Sequence, residues 1–142
     1  MTVAEIEQVL VLNKIRKTSV RVLVLNALSE SKIALSPAEL ESSFGNQTDR
    51  ITLYRTLKLY EEKGLIHRIY NSFGEAKYAA CLDQCKEHAH SDRHLHFNCL
   101  KCKGTFCMNH IEIPLFTLPE GMMALHYNFS VEGICSTCRE EN

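Results

Sequence analysis

Cysteine and histidine are the residues of this chain best suited to chemistry, and nearly all of them follow residue 80. All seven cysteines and six of the seven histidines lie there, whereas residues 1–80 contain only His67. The densest pattern comprises two Cys-x-x-Cys pairs and a histidine run: Cys99/Cys102, Cys135/Cys138, His88, His90, His94 and His96. Thiolate and imidazole are the ligands that zinc prefers in proteins. The segregation indicates a metal sensor coupled to an effector.

The two Cys-x-x-Cys pairs predict one structural zinc ion held by four thiolates. Two residues between cysteines let both sulfurs of one turn reach the same metal, and two matched pairs favour zinc over a redox pair. A closed four-cysteine site has no coordination position for a substrate, which argues against catalysis there. No general base is evident near His94 and His96 either, so we do not expect an enzyme.

A second metal site is predicted from the donors that remain. Residues 94–100 alternate in the manner of a strand, so His94 and His96 project from one face and form half of a site. The other donors outside the four-cysteine set are Cys81, Cys85, His88, His90, Cys107, His110 and His126. We interpret the last two histidines as surface or packing residues. For the donors in residues 85–90, a further metal-binding loop and a solvated segment both stay open.

The first half has the pattern of a helix-turn-helix followed by a hairpin. Helical stripes cover residues 3–13 and 18–28. Ser36, Pro37 and Glu39 are typical of a capped helix start, and this helix should run through residue 43. Thr48 or Asp49 should cap the next helix, which ends at Gly64. Residues 65–70 and 75–80 then flank a glycine-containing loop, which predicts a β-hairpin, or wing.

Charge alone does not predict a nucleic-acid partner. The formal net charge is −1, and the excess of basic residues in the first half is too small to decide. The positions of the basic and polar residues along the chain are more informative than the net charge, because arginine, lysine and polar residues suit phosphate and base contacts. A core helix with a solvated charged face remains the alternative for the second helix of the motif. The candidate DNA-binding residues are Arg16, Lys17, Arg50, Thr52, Tyr54, Arg55 and Lys58.

The cysteine content also bears on the compartment. The N-terminal segment carries acidic residues and lacks the continuous apolar stretch of a signal peptide. No apolar run reaches membrane-spanning length. We therefore expect a cytoplasmic protein, in which thiols stay reduced and bind metal.

Taken in order along the chain, these motifs resemble the ferric uptake regulator (Fur) family. The segments that carry the resemblance are Arg16-Lys17-Thr18, Ser36-Pro37-Ala38-Glu39-Leu40, residues 51–57, Gly64-Leu65-Ile66, residues 94–102 and residues 133–138. The resemblance implies an α+β chain: a winged helix-turn-helix DNA-binding domain (1–80), a hinge and metal-rich loop (81–93), and a small α/β dimerisation and metal-binding domain (94–142) with a four-cysteine zinc site.

The family resemblance also implies a function. Its members are homodimeric, metal-dependent transcriptional regulators, usually repressors, that bind palindromic operators in double-stranded DNA when loaded with metal. We expect neither a membrane partner nor a small-molecule substrate.

The resemblance extends to the regulatory metal site. Members that sense iron or peroxide have a histidine where this chain has Ile33 and Ala34. The zinc uptake regulator branch instead resembles this chain in its hinge ligands, here His67, Cys81, His94 and His96, with Cys107, His88 and His90 as further donors. Nitrogen and sulfur ligands favour Zn²⁺ over harder, oxygen-rich sites. An iron(II)-sensing or peroxide-sensing repressor of the same family is the alternative.

One departure from the family concerns the second half. Relatives place a helix where residues 111–122 contain Pro114 and Pro119. Proline removes a backbone donor and does not fit the interior of a regular helix. We therefore expect no regular helix here, and a rearranged dimer contact.

Overall fold

A computed structural model describes residues 1–71, 73–80, 94–125 and 127–141. The elements, in chain order, are α1 (Val3–Leu12), α2 (Ser19–Glu30), α3 (Pro37–Phe44), a 3-10 turn (Gly45–Gln47), α4 (Arg50–Glu62), β1 (Ile66–Tyr70), β2 (Ala76–Ala80), β3 (His94–Cys99), β4 (Thr105–Glu112), β5 (Ser130–Gly133) and α5 (Ser136–Glu140). The α+β class and the N-terminal winged helix are confirmed. No helix of the described residues is long and apolar enough to cross a bilayer.

Side-chain caps fix where the helices of the first half begin. Thr18 caps α2 by accepting from the Arg21 amide. Ser36 and Glu39 form a complete capping box at α3, with proline in the first turn. Asp49, rather than Thr48, caps α4 by accepting from the Thr52 amide at 2.8 Å. Each cap satisfies backbone donors that a helix start would otherwise leave unpaired.

The core of the winged helix is built from α1 to α4 and the inner face of the hairpin. Its fully buried members include Leu10, Leu25, Leu53 and Tyr60. The Tyr60 hydroxyl donates to the Arg21 carbonyl at 2.6 Å, so its polar end is satisfied inside the core. Every buried residue of this cluster precedes residue 81, so the first half has a core of its own.

A three-stranded sheet organises the second half. Its strand order is β4-β3-β5, with β3 antiparallel to β4 and parallel to β5. The parallel register sets Cys99 beside Gly133, two residues before Cys135. The sheet therefore brings the two Cys-x-x-Cys pairs to one end of β3, as the sequence predicted.

Two parts of the second half differ from the sequence prediction. The strand expected over residues 127–132 starts later and ends one residue further on, at Ser130–Gly133, and neither β4 nor α5 was predicted. Residues 113–125, all within the described part of the chain, form no helix. The prediction from Pro114 and Pro119 is therefore confirmed.

Candidate metal centre

The first candidate site is the four-cysteine cluster. Cys99 ends β3, Cys102 lies in the following turn, Cys135 precedes α5, and Cys138 lies within α5. Their sulfur atoms all lie within 4.8 Å of one another, and those of Cys102 and Cys135 are 3.9 Å apart. A Zn–S bond of about 2.3 Å gives a tetrahedral S···S edge of roughly 3.8 Å. The cluster therefore fits a tetrahedral zinc ion.

The backbone around this cluster is shaped for the sulfur atoms. A Cβ on Gly104 would lie 3.3 Å from the Cys102 sulfur and 3.2 Å from the Phe106 ring, so a side chain there would crowd the site. The Cys135 amide donates to the Cys99 sulfur at 3.4 Å. Backbone amides of Cys102 and Cys135 lower the pKa of the Cys99 thiol, because they stabilise its thiolate. The thiolate is the form that binds metal.

The second candidate site joins the two halves of the chain. His67 lies on β1 of the wing, His94 and His96 on β3, and Cys107 on β4. The three Nε2 atoms are separated by 3.1 Å (His67 to His94), 3.4 Å (His67 to His96) and 3.0 Å (His94 to His96). The Cys107 sulfur lies 3.1 Å from the His67 Nε2 and 2.9 Å from the His94 Nε2. We call these four residues the His3Cys cluster.

The His3Cys cluster has the donor number and spacing of a tetrahedral metal site. Bonds of about 2.0 Å to nitrogen and 2.3 Å to sulfur give edges of roughly 3.3 Å between nitrogens and about 3.6 Å from nitrogen to sulfur. The nitrogen–nitrogen separations lie within about 0.3 Å of the first value, and the two nitrogen–sulfur separations are about 0.5–0.7 Å shorter than the second. A neutral imidazole has one donor and one acceptor nitrogen, so three converging Nε2 atoms cannot satisfy one another fully. A shared cation satisfies them all.

Burial keeps part of this cluster uncharged. Desolvation, and then the charges of neighbouring histidines, lower the pKa of His67 to about 3 and that of His96 to about 4. His67 is 7% exposed and His96 4% exposed. Both imidazoles are therefore neutral at pH 7, which is the protonation state that a metal ligand needs.

These pKa values predict an acid-sensitive fold when the His3Cys cluster holds no metal. Both lie below the usual 6.5, so the unfolded chain binds more protons than the folded chain as the pH falls. The two histidines have little effect on stability well above pH 6.5. As the pH falls through 6.5, the loss of free energy of unfolding should steepen toward about 1.4 kcal/mol per pH unit for each histidine. Urea unfolding between pH 7 and pH 5.5 measures this slope.

A double variant provides the control for the acid sensitivity. In His67→Asn/His96→Asn the slope of stability against pH should become shallower, because neither asparagine can take up a proton. An unchanged slope would show that these two histidines are not the source. Keeping the pH at or above 5.5 limits proton competition for the four-cysteine site.

Several predicted donors cannot be placed. Cys81, His88 and His90, together with Cys85, lie outside the described residues. The structure does bring His67, His94 and His96 together, as the family resemblance implied. It completes their set with Cys107, which the sequence had offered only as a further donor. His110 is exposed and belongs to neither cluster, whereas His126 lies outside the described residues.

The predicted DNA-binding residues lie on the surface of the winged helix. All are exposed except the half-buried Thr52, whose hydroxyl donates to Asp49 at 2.6 Å. Arg50 donates to both carboxylate oxygens of Glu41, at 2.9 and 3.2 Å, and so ties α4 to α3. Lys17 pairs with Glu7 at 3.0 Å. Exposed apolar groups also lie on α4, namely Ile51 and Tyr54, and Ile51 was not among the predicted contacts.

Comparison with known proteins gives one family and several solved structures of similar fold. The model of the Ferric uptake regulator family matches residues 13–117, whereas no curated protein sequence matches the chain. A zinc uptake regulator solved with zinc and DNA is 21% identical, with 98% of this chain and 93% of that one covered and a TM-score of 0.68.

Two further solved structures are similar in fold. A zinc-bound manganese uptake regulator is 21% identical, with 92% of this chain and 98% of that one covered and a TM-score of 0.62. The Helicobacter pylori ferric uptake regulator, described with three functional metal-binding sites, is also 21% identical, with 98% and 95% covered and a TM-score of 0.60.

Proposed function

The chain belongs to the ferric uptake regulator family, and from this premise we propose that it is a zinc-sensing transcriptional repressor that controls metal uptake genes. It would act in the cytoplasm as a homodimer on a palindromic operator in double-stranded DNA. The observation that carries the proposal is the His3Cys cluster. It takes one ligand from the wing and three from the second half, so a bound ion ties the two halves together.

The organisation of the chain follows from this role. Residues 1–80 are the DNA-binding domain, residues 81–93 the hinge and metal-rich loop, and residues 94–142 the dimerisation and metal-binding domain. Zinc at the four-cysteine site stabilises the dimerisation and metal-binding domain, since such small domains gain their folding free energy from the metal. The His3Cys cluster is the regulatory site.

In the proposed mechanism, metal binding at His67 fixes the orientation of the recognition helix α4. Zinc, when bound, supplies a Lewis-acidic centre that holds imidazole and thiolate ligands in a fixed geometry. His67 is on β1, which follows α4 after only a short turn at Gly64. Fixing His67 against β3 therefore fixes the direction of α4. In a dimer, this sets the separation of two recognition helices, which must match the spacing of the operator half-sites.

The exposed surface of α4 is suited to DNA. Arg55 and Lys58 offer cations to phosphates, with arginine also able to read guanine edges. Tyr54, at 50% exposure, presents an apolar ring that suits a thymine methyl group. Arg50 would have to exchange Glu41 for a phosphate, so its first role is to orient α4.

An apolar surface in the second half is suited to a second copy of the chain. Four large side chains of residues 113–125 are exposed, each by 65% or more: Leu115, Met122, Met123 and Leu125. Large exposed apolar side chains grouped in one segment favour an interaction site. The aromatic group Phe116, Tyr127 and Phe129 packs nearby, with ring centroids 6.0 Å apart, and supports this surface.

The donor set supports zinc as the sensed metal. Three imidazoles and one thiolate are borderline-soft ligands, whereas manganese and magnesium favour carboxylate and carbonyl oxygen. The fold is similar both to a zinc uptake regulator and to a ferric uptake regulator. An iron(II)-sensing or peroxide-sensing repressor is therefore the second candidate.

The test is operator binding by the purified protein at controlled metal concentrations. The four-cysteine zinc is retained while free zinc, iron(II) or manganese(II) is buffered, and fluorescence anisotropy of operator-like DNA reports binding. We expect zinc alone to switch binding on at very low free concentration. By linkage, operator DNA should tighten zinc binding by the same factor. Activation by iron(II) and not by zinc would make the chain an iron sensor.

A further inference from the structure

Both faces of the wing hairpin carry buried residues. Directly opposed residues of an antiparallel pair point to the same side. The pairs Ile66/Ala80 and Arg68/Tyr78 define one face, whose apolar members pack in the winged-helix core. The opposite face carries the pairs His67/Ala79 and Ile69/Lys77.

The second face of the hairpin is covered by the zinc-bearing half. Ile69 is 2% exposed and Lys77 3% exposed, although neither belongs to the winged-helix core cluster. At the tip of the wing, the Lys103 ammonium lies 4.3 Å above the ring of Phe73. The tip of the hairpin therefore contacts the turn that contains Cys102.

Lys77 makes the most specific contact on this face. Its ammonium donates to the Lys103 carbonyl at 3.3 Å and lies 3.6 Å from the Glu39 carboxylate. A buried ammonium is strongly unfavourable unless it is paired and hydrogen-bonded. Lys77 therefore ties together three elements: β2 on which it lies, α3 of the helix-turn-helix, and the turn of the four-cysteine site.

Backbone hydrogen bonds also connect the two halves of the chain close to Lys77. Leu35 exchanges two bonds with Tyr78 of β2, at 2.9 and 2.8 Å, and the Ala34 amide donates to the Thr105 carbonyl at 2.8 Å. Ala34 is 1% exposed and Thr105 fully buried. The Thr105 hydroxyl in turn donates to Asn98 of β3 at 2.9 Å. The segment between α2 and α3 thus links the wing to the sheet of the second half.

We propose that these contacts form a permanent joint between the two halves, in which Lys77 is the positioning residue. We call it the knuckle joint, and it consists of Ala34, Leu35, Lys77, the Lys103 carbonyl and Thr105. None of its contacts uses an atom of either metal cluster. Zinc at the His3Cys cluster then acts on halves that already touch, and restricts their rotation about the joint. The inference rests on the proposed function for its effect on DNA, but not for the joint itself.

The first measurement needs no variant. Amide hydrogen exchange of the full chain, with the four-cysteine zinc retained, is followed by NMR with the His3Cys cluster loaded and then depleted of zinc by a weak chelator. The Ala34 amide should be protected in both states. Protection that appears only with zinc would overturn the permanent joint.

The second measurement uses Lys77→Met, which keeps the apolar stem and removes the ammonium. The Ala34 amide should exchange about tenfold faster, whereas the amides of Leu53 and Leu57 in the core of α4 should not change. The zinc-loaded variant should also bind operator DNA about tenfold more weakly than the original protein.

A matched control lies in the same turn. The Lys101 ammonium also donates to a backbone carbonyl, that of Cys138 at 3.3 Å, but only within the second half. Lys101→Met should therefore leave Ala34 exchange and DNA affinity unchanged. Unchanged Ala34 exchange in Lys77→Met would overturn the role of Lys77. If the original protein binds no DNA at any metal level, the proposed function is wrong. The hydrogen-exchange data would still show whether the joint persists without zinc.

Discussion

Replacing Cys138 with serine should unfold the zinc-bearing half of the chain and leave the winged helix folded. Structural zinc contributes about 10–16 kcal/mol in comparable small domains at neutral pH, whereas whole domains are stable by only about 5–15 kcal/mol. Cys138 is 5% exposed and lies in the middle of α5, with its sulfur within 4.8 Å of the Cys99 sulfur at the end of β3. Zinc content by mass spectrometry and limited proteolysis measure the two effects. We expect loss of the structural zinc and a resistant fragment that spans α1 to β2.

A variant at the other metal site is the control for the Cys138 prediction. Cys107→Ser leaves all four thiolates of the structural site in place, so this variant should keep its structural zinc and resist proteolysis in both halves. If Cys138→Ser retained stoichiometric zinc and a protected β3, the four-cysteine site would not be what holds the second half together.

Replacing Cys107 with serine should strongly weaken the zinc response while the fold survives. A direct ligand is worth more than its outer-shell partners, whose loss alone weakens metal binding by about 10–100-fold. We therefore expect the free zinc needed for operator binding to rise by more than about 100-fold. Cobalt(II) substitution at the regulatory site gives a second readout, because the thiolate-to-cobalt charge-transfer band should disappear in this variant.

Cys81→Ser is the companion variant, since the family resemblance implied Cys81 as the regulatory thiolate. The His3Cys cluster already has four donors among the described residues, so Cys81→Ser should keep both the cobalt band and the zinc response. Loss of both in Cys81→Ser, with both retained in Cys107→Ser, would return the site to the ligand set that the resemblance implied.

Local sequence signals predicted the first half of the fold well. Ser36, Pro37 and Glu39 form a capping box whose effect does not depend on the rest of the chain, and α3 begins where they predict. The hairpin is equally local, because a short loop joins its two strands. Elements of this kind depend on neighbours within a few residues.

The second half was harder to predict because its contacts are distant in sequence. Strand β4 contains Cys107, which meets His67 across 40 positions, and no local pattern reports such a pairing. The helix α5 has five residues, too few for a helical period to emerge. The two Cys-x-x-Cys pairs were predictable because the coordination chemistry of zinc, rather than local periodicity, brings them together.

The parallel pairing of β3 with β5 has a consequence for the order of folding. Residues 100–129 separate these strands, so their pairing must close a long loop, at a cost in chain entropy that the local β3–β4 pairing does not carry. The winged helix forms from helices and a hairpin that are adjacent in sequence, which is the topology of fast folding. We therefore expect the DNA-binding half to fold before the second half, which needs zinc to fold. The supply of metal would then set the rate at which a fully folded regulator forms.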